Sequence, residues 1–268
     1  MTVAILPLDI KEGRPELNIN AVREGAAHVK EGTDILVLPE LFSTGFVQDE
    51  ATFQLLAEPM EGHTMCTLRE LSDAKKIAIC GSFLCREVSD GTLRNRAFFI
   101  NPDDGDITFY DKRHLFILSP EHKLVKPGNK IIPIVKYRDW NIGLTVCFDL
   151  RFPVWCRNIG NRYDMLIVPA NWPDSRYYAW KHLIIARAIE NASIVVGGNR
   201  AGSDRFGIYS YLSSFSADER GNIIAETHGN TPLRHAVFDL KRLKEFRVKF
   251  PIDKAADNFI LNSQPNKN

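Results

Sequence analysis

Short apolar runs rich in Ile, Val and Leu alternate along this chain with stretches whose apolar residues recur at helical spacing. Such alternation points to an α/β fold, in which helices cover the faces of a sheet. Val3 to Leu8 reads as the first strand, and Glu16 to Lys30 follows with Leu17, Ile19, Val22 and Ala26 at near-helical spacing. Ile35-Leu-Val-Leu-Pro39 is continuously apolar, the pattern of a strand buried on both sides. The same reasoning predicts a helix over Thr64–Lys75 and strands over Ile77–Cys85, Arg96–Ile100 and Ile142–Phe148. It then predicts a helix from about Val154, a strand over Met165–Pro169, a helix over Tyr178–Asn191 and a strand over Ile194–Gly197. Leu212 to Phe238 reads as two strands around the turn Asp218-Glu-Arg-Gly221, and Leu240 to Phe250 as a short basic helix. A long mixed loop follows Lys112, and loops of that length in compact domains are often functional. No linker, composition break or low-complexity block interrupts the pattern. Residues 1–260 are therefore expected to form one domain, with 261–268 a flexible tail.

Composition excludes several classes of function. Lys and Arg number 34 against 33 Asp and Glu, which leaves no electrostatic footprint for nucleic acid or a membrane surface. No apolar stretch approaches the ~20 residues of a membrane span. The N-terminus lacks a basic region and cleavage site and reads as a strand, not a signal peptide. The 5 cysteines are odd in number and contain no Cys-x-x-Cys pair, as expected of free thiols in a reducing cytoplasm. Cys66, Cys80 and Cys85 lack histidines at zinc spacing and read as small core or surface residues.

Polar and ionisable residues gather where apolar strands end. Glu40 ends the run from Ile35, Cys147 the run from Asn141, Asn171-Trp172 the run from Leu166, and Asn199-Arg200 the run from Ile194. In open α/β sheets ligands bind at the carboxyl ends of strands. A lone carboxylate there is more often a helix N-cap, but four polar ends from separate segments make a constellation. Cys147 stands where a strand gives way to an expected helix, near backbone N–H groups that favour thiolate and oxyanion. By itself it could equally be a small inert core residue.

Leu36-Val-Leu-Pro-Glu-Leu-Phe42, Tyr110-Asp-Lys-Arg-His-Leu-Phe116 and Gly143-Leu-Thr-Val-Cys-Phe-Asp-Leu-Arg-Phe-Pro153 resemble, in order, the three catalytic blocks of the nitrilase superfamily. Ala186-Arg-Ala-Ile-Glu-Asn191 and Gly198-Asn-Arg-Ala-Gly202 extend the resemblance, which covers the chain from about Val3 to Phe259. Ser119-Pro-Glu-His-Lys123 and Pro169-Ala-Asn-Trp-Pro173 are most similar to the bacterial ω-amidase branch. The resemblance implies a four-layer αββα sandwich of two similar halves, no metal or organic cofactor, and at least a homodimer. It implies Glu40 as general base, Lys112 as the cation facing the oxyanion, Cys147 as nucleophile and Glu121 as a second carboxylate that positions Lys112. The backbone N–H of Phe148 would join Lys112 at the oxyanion. His114 and His122 are expected to line or support the pocket wall, with no acidic partner forced beside either. Asp149 and Arg151 are expected to pair and hold the nucleophile turn.

The ω-amidase resemblance implies a short dicarboxylic monoamide such as 2-oxoglutaramate or 2-oxosuccinamate. Its distal carboxylate needs a cationic partner. Arg176 is the first candidate and Arg200 the second, with Phe46 and Trp172 as apolar walls. Two alternatives are an N-carbamoyl hydrolase of the same superfamily and a catalytically silent binding protein on the same fold. A thiol-dependent dehydrogenase is disfavoured, because no Gly-x-Gly-x-x-Gly follows a strand.

Overall fold

The structure is a computed structural model and describes residues 1–119, 121–227, 232–257 and 259–260; the expected tail 261–268 lies outside the described residues. The first half contains β1 (Thr2–Ile5), α1 (Pro15–Ala27), β2 (Ile35–Val37), α2 (Glu50–Leu55), α3 (His63–Lys75), β3 (Ala78–Arg86), β4 (Leu93–Ile100) and β5 (Ile107–Asp111). A short helix α4 (Glu121–Leu124) then leads into β6 (Ile134–Tyr137), β7 (Trp140–Leu144), β8 (Met165–Ala170), α5 (Tyr177–Glu190) and β9 (Ile194–Asn199). A small hairpin of β10 (Gly202–Asp204) and β11 (Gly207–Tyr209) follows, then β12 (Phe215–Ala217), β13 (Ile223–Ile224), β14 (Glu226–Thr227), β15 (Arg234–Val237) and α6 (Leu240–Lys249).

Two sheets repeat one plan. The first runs β14-β15-β1-β2-β3-β4-β5 and the second β13-β12-β9-β8-β7-β6, each with three parallel strands at its centre. Alternation along the strands sorts side chains between layers. Val3, Ile5, Ile35, Val37, Ala97 and Phe99 point one way and join a core with Tyr137, Ile142 and Leu144 of the second sheet. Ala4, Leu36, Ile79 and Phe98 point the other way, against Ile19 and Val22 of α1 and Met65 and Leu68 of α3. Trp180, Ile184 and Ala188 of α5 complete the second sheet's cover. The layers are thus helix, sheet, sheet and helix, as expected of the αββα sandwich.

The topology also decides where chemistry can collect. β4 is antiparallel to both β3 and β5, so β5 runs with β2 and β3 and delivers Lys112 to the same edge as Glu40. β7, β8 and β9 bring Cys147, Asn171 and Arg200 to the matching edge of the second sheet.

Several boundaries differ from the sequence expectation. The helix expected from Val154 is replaced by turns and a 3₁₀ turn at Ile159–Asn161, in which Gly160 and Asn161 have φ of 65° and 53°. The Asn158 side chain binds both backbone groups of Tyr163, at 2.8 and 3.0 Å, and so competes with helical pairing. The strand expected to reach Phe148 stops at Leu144, and Cys147 opens a 3₁₀ helix, Cys147–Arg151. The N–H groups beside Cys147 therefore belong to a 3₁₀ turn and not to the start of an α-helix. The helix α4 lies within the stretch after Lys112 read as a loop, and the hairpin β10–β11 lies where no element was expected. The region from Leu212 to Phe238 forms four strands, the last two of which cross to the first sheet.

The two sheets meet closely at a residue with no side chain, Gly198. A Cβ on Gly198 of β9 would stand 2.7 Å from Cγ1 of Val37 on β2, inside van der Waals contact. Gly198→Ala should cost about 1–3 kcal/mol from overpacking, lowering Tm by roughly 3–10 °C. Thermal denaturation of Gly198→Ala, Val37→Ala and the double variant checks this. The double variant should lose less than the sum of the singles, because removing Cγ1 relieves the clash. Strict additivity would place the clash elsewhere.

Candidate active site

Glu40 lies three residues beyond β2 and is fully buried. Leu41 after it takes a left-handed φ of 43°, and its N–H donates to Ser82 Oγ at 3.0 Å. This turn aims the Glu40 carboxylate between the two sheets. Its Oε1 accepts from Lys112 Nζ at 2.8 Å and from Asn95 Nδ2 at 2.8 Å. Its Oε2 accepts from the Asn171 N–H at 3.0 Å, while Asn171 Nδ2 donates back to the Glu40 carbonyl at 2.8 Å.

Lys112 is 1 % exposed and gives its remaining donors to Glu121, at 2.9 Å to Oε1 and 2.8 Å to Oε2. Glu121, on α4, also accepts from Asn95 Nδ2 at 2.8 Å and from the Phe116 N–H at 2.8 Å. Backbone pairing seats the lysine as well. Its N–H donates to the Asn95 carbonyl at 2.9 Å, and its carbonyl accepts from the Gly128 N–H at 2.9 Å. A Cβ on Gly128 would stand 2.2 Å from the Asp111 carbonyl oxygen, so only glycine lets the chain pass this close.

Charge and burial compete here. Burial alone would strip the proton from Lys112, but the carboxylates of Glu121 and Glu40 outweigh it and hold the ammonium above the usual lysine range. Burial pushes the Glu40 carboxyl up; Lys112 pulls it back down, and Glu121 adds repulsion. The net direction is upward, because burial, with the repulsion of Glu121 added, outweighs the one cation. Burial also pushes the Cys147 thiol well up, reinforced by the charge of Glu40 and opposed by Lys112 and the Asn171 N–H. Both groups therefore hold their protons more tightly than they would in water.

Cys147 takes a φ of 45° at the head of its 3₁₀ helix. The residue that secures this turn is Asp149, which is fully buried. It accepts from the Val146 N–H at 3.3 Å, Tyr110 Oη at 2.8 Å, and the His114 N–H and Nδ1 at 2.8 and 2.7 Å. The expected Asp149–Arg151 pair is therefore corrected: Asp149 bridges the cysteine turn to the segment after Lys112, and Arg151 lies in the cleft wall. The expectation of no acidic partner for His114 is corrected too, since Asp149 holds it and Phe152 stacks on it at 3.6 Å. His122 bonds the Ser119 carbonyl at 2.6 Å and does not line the cleft. Among the described residues no cluster of His, Cys, Asp or Glu is arranged to hold a metal.

Glu40, Lys112 and Cys147 open onto one cleft of about 530 Å³, including its mouth. Phe46, Phe116, Phe148 and Trp172 give it apolar walls, and Arg151 and Arg176 bring positive charge. The Arg176 guanidinium lies 5.0 Å from the Phe116 ring, and that of Arg151 lies 5.0 Å from the Trp172 ring. Arg200 is a different case. It is 1 % exposed and spends its donors on Asp204 at 2.8 Å and on the carbonyls of Ile10 and Ala201 at 2.8 and 3.2 Å. It braces the hairpin that carries Phe206 and Tyr209 to the cleft and is not itself a wall residue. The reading of Arg200 as a substrate ligand is withdrawn on that geometry.

Sequence reasoning passed over Asn95, Arg151, Phe206 and Tyr209. Asn95 did leave a signal: it shares a strand face with Ala97 and Phe99, and a polar residue at an inward position needs a partner. The hairpin residues left none, because their strands are only three residues each.

Comparison with known proteins agrees with this geometry. A family model described as carbon-nitrogen hydrolase matches residues 2–248. The chain is 38 % identical over 231 residues to the omega-amidase YafV of Escherichia coli, covering 86 % of this chain and 87 % of that protein. It is 31 % identical over 253 residues to the 2-oxoglutaramate amidase of Bacillus subtilis, covering 94 % and 95 %. Among solved structures, XC1258 of Xanthomonas campestris, a CN-hydrolase superfamily protein with an arsenic adduct in its active site, superposes with a TM-score of 0.89 at 31 % identity, over 98 % of this chain and 99 % of that one. Nit3 of Saccharomyces cerevisiae, a member of branch 10 of the nitrilase superfamily, shares the fold, with a TM-score of 0.81 at 22 % identity over 94 % of each chain. By its fold, the buried Glu40–Lys112–Glu121 cluster beside Cys147 and these matches, the chain belongs to the carbon–nitrogen hydrolase family of the nitrilase superfamily.

Proposed function

We propose that the protein is an ω-amidase, hydrolysing the terminal amide of a short dicarboxylic monoamide through a thioester on Cys147. The observation that carries this reading is that Glu40, Lys112 and Cys147 open onto one cleft, with Lys112 locked between the buried carboxylates of Glu40 and Glu121. As Sγ attacks the amide carbon, its proton passes to Glu40. Negative charge gathers on the former carbonyl oxygen. The three donors of Lys112 are all committed to carboxylates at rest. Protonation of Glu40 weakens its claim on that ammonium, which then turns one N–H to the oxyanion beside the Phe148 N–H. Glu40 next returns the proton to the departing nitrogen, and ammonia leaves. A water molecule, deprotonated by the same carboxylate, attacks the thioester and releases the acid and the thiol.

The lining of the cleft supports this substrate class. Its walls are largely apolar, and the guanidinium groups of Arg151 and Arg176 line it without an ion-pair partner among the described residues. A slender acyl chain with a distal carboxylate fits that pattern, with Arg176 and Arg151 as its anchors. The similarity to omega-amidase and 2-oxoglutaramate amidase relatives supports 2-oxoglutaramate or 2-oxosuccinamate as substrates.

Ammonia release from a panel of these two compounds, neutral amides of equal length and N-carbamoyl amino acids tests the assignment. The ω-amides should turn over fastest, and Cys147→Ala should abolish release. Arg176→Ala should lower kcat/KM for the charged amides by roughly ten- to a hundredfold while barely changing the neutral ones. Equal loss on both would make Arg176 a structural residue, and preference for the N-carbamoyl compounds would overturn the substrate class.

Lys112→Met tests the oxyanion role separately. Loss of one preorganised donor typically costs ~2.7–4 kcal/mol, or about a hundred- to a thousandfold in kcat. KM should change far less, because the charge that Lys112 meets forms only after attack. A rise in KM at constant kcat would instead make Lys112 a ground-state anchor.

A further inference from the structure

We infer that Asn95 is a positioning residue that occupies one oxygen of Glu40, Oε1, and so commits the other, Oε2, to the Cys147 proton. The inference rests on the thioester reading above and deepens it.

Asn95 lies near the start of β4, on the face that looks across to the second sheet, and is 1 % exposed. Its Nδ2 donates to Glu40 Oε1 and to Glu121 Oε1, each at 2.8 Å, so one amide group uses both N–H bonds to span the two carboxylates. Its Oδ1 accepts from Ser82 Oγ at 2.9 Å, and Ser82 Oγ in turn accepts from the Leu41 N–H at 3.0 Å. This chain sets the amide's orientation. A flipped Asn95 would face two carboxylate oxygens with a third acceptor and leave Ser82 without one.

The consequence falls on the base. Glu40 Oε1 already holds two donors, Lys112 Nζ and Asn95 Nδ2. Among the described residues Oε2 takes only the Asn171 N–H, which leaves it the less occupied oxygen of the two. A proton leaving Sγ therefore arrives at Oε2. The Ser82 link to Leu41 ties this arrangement to the turn that carries Glu40 itself. A carboxylate facing one ammonium and one repelling carboxylate could otherwise rotate and offer Lys112 its second oxygen. The charged and titratable groups around Glu40 are Lys112 after β5, Glu121 on α4 and Cys147 on the 3₁₀ helix. Asn95 is the neutral donor that distinguishes the two carboxylate oxygens.

Alkylation by iodoacetamide tests this without any assumption about the amide substrate. The rate of Cys147 modification, located by peptide mass, should fall at acid pH as Glu40 gains a proton. Glu40→Gln should abolish that acid limb, which identifies its owner. In Asn95→Ala the limb should move to higher pH by about one to two units, since a carboxylate that loses a donor binds its proton more tightly. Ser82→Ala should move it the same way by less, because Asn95 stays but loses its orienting partner. An unmoved limb in Asn95→Ala, with only a lower Tm, would make Asn95 structural and overturn the inference. A limb that persists in Glu40→Gln would also overturn it. Failure of wild-type Cys147 to react would overturn both the inference and the thioester reading, whereas an unmoved limb with reactive Cys147 leaves the thioester reading standing.

Discussion

A buried ammonium shared by two carboxylates dictates much of what surrounds it. Lys112 meets Glu40 and Glu121 at 2.8 Å, in a site where none of the three is more than 1 % exposed. Removing such charges from water costs several kcal/mol per ion, and mutual attraction offsets it only if every remaining lone pair and proton is also satisfied. The fold supplies those partners from unrelated segments: Asn95 from β4, the Asn171 N–H from the end of β8 and the Phe116 N–H from the loop before α4. Their positions explain why the site must sit at the edge between the two sheets. No single sheet carries all of them.

The same cluster is short of one positive charge. Burial raises the Glu40 carboxyl against the pull of Lys112, the excess negative charge from Glu121 adds to that rise, and Glu40 becomes a better proton acceptor than an ordinary surface glutamate. That imbalance suits a residue that must hold a proton briefly and return it. The local backbone is arranged around the same demand. Leu41 and Cys147 both adopt left-handed φ, of 43° and 45°, in the turns that present Glu40 and the thiol. Such conformations cost of order 1–3 kcal/mol each and persist only where surrounding contacts enforce them. Ser82 does so at Leu41 and Asp149 at the cysteine turn. Asp149 also grips the N–H of His114, two residues beyond Lys112, so the thiol and the ammonium are registered against one buried carboxylate.

Much of this was legible in the chain before any coordinates. Apolar runs and helical spacing located most elements; the three motif blocks placed Glu40, Lys112 and Cys147, and the Ser119–Lys123 stretch placed Glu121, all of which the structure brings into one cluster. What stayed hidden has physical reasons. The helix after Cys147 was expected from an apolar run, but Asn158 captured the backbone of Tyr163 and the chain turned instead. Arg151 stands two residues from Asp149 in a plausible pair, yet a 3₁₀ helix of about three residues per turn sends side chains two apart in different directions, one into the core and one into the cleft. Arg200 carried the charge expected of a substrate ligand, but Asp204, four residues on, claimed it. These are questions of which partner wins, and pattern in a sequence does not rank partners.

The claim most exposed to test is that Cys147, activated by this cluster, carries the acyl group. Rapid-quench intact-protein mass spectrometry during turnover of 2-oxoglutaramate, followed by peptide mapping, measures it directly. The account predicts a transient acyl adduct on the peptide containing Cys147, absent from Cys147→Ala. An adduct on Cys156, or full turnover by the alanine variant, would contradict it.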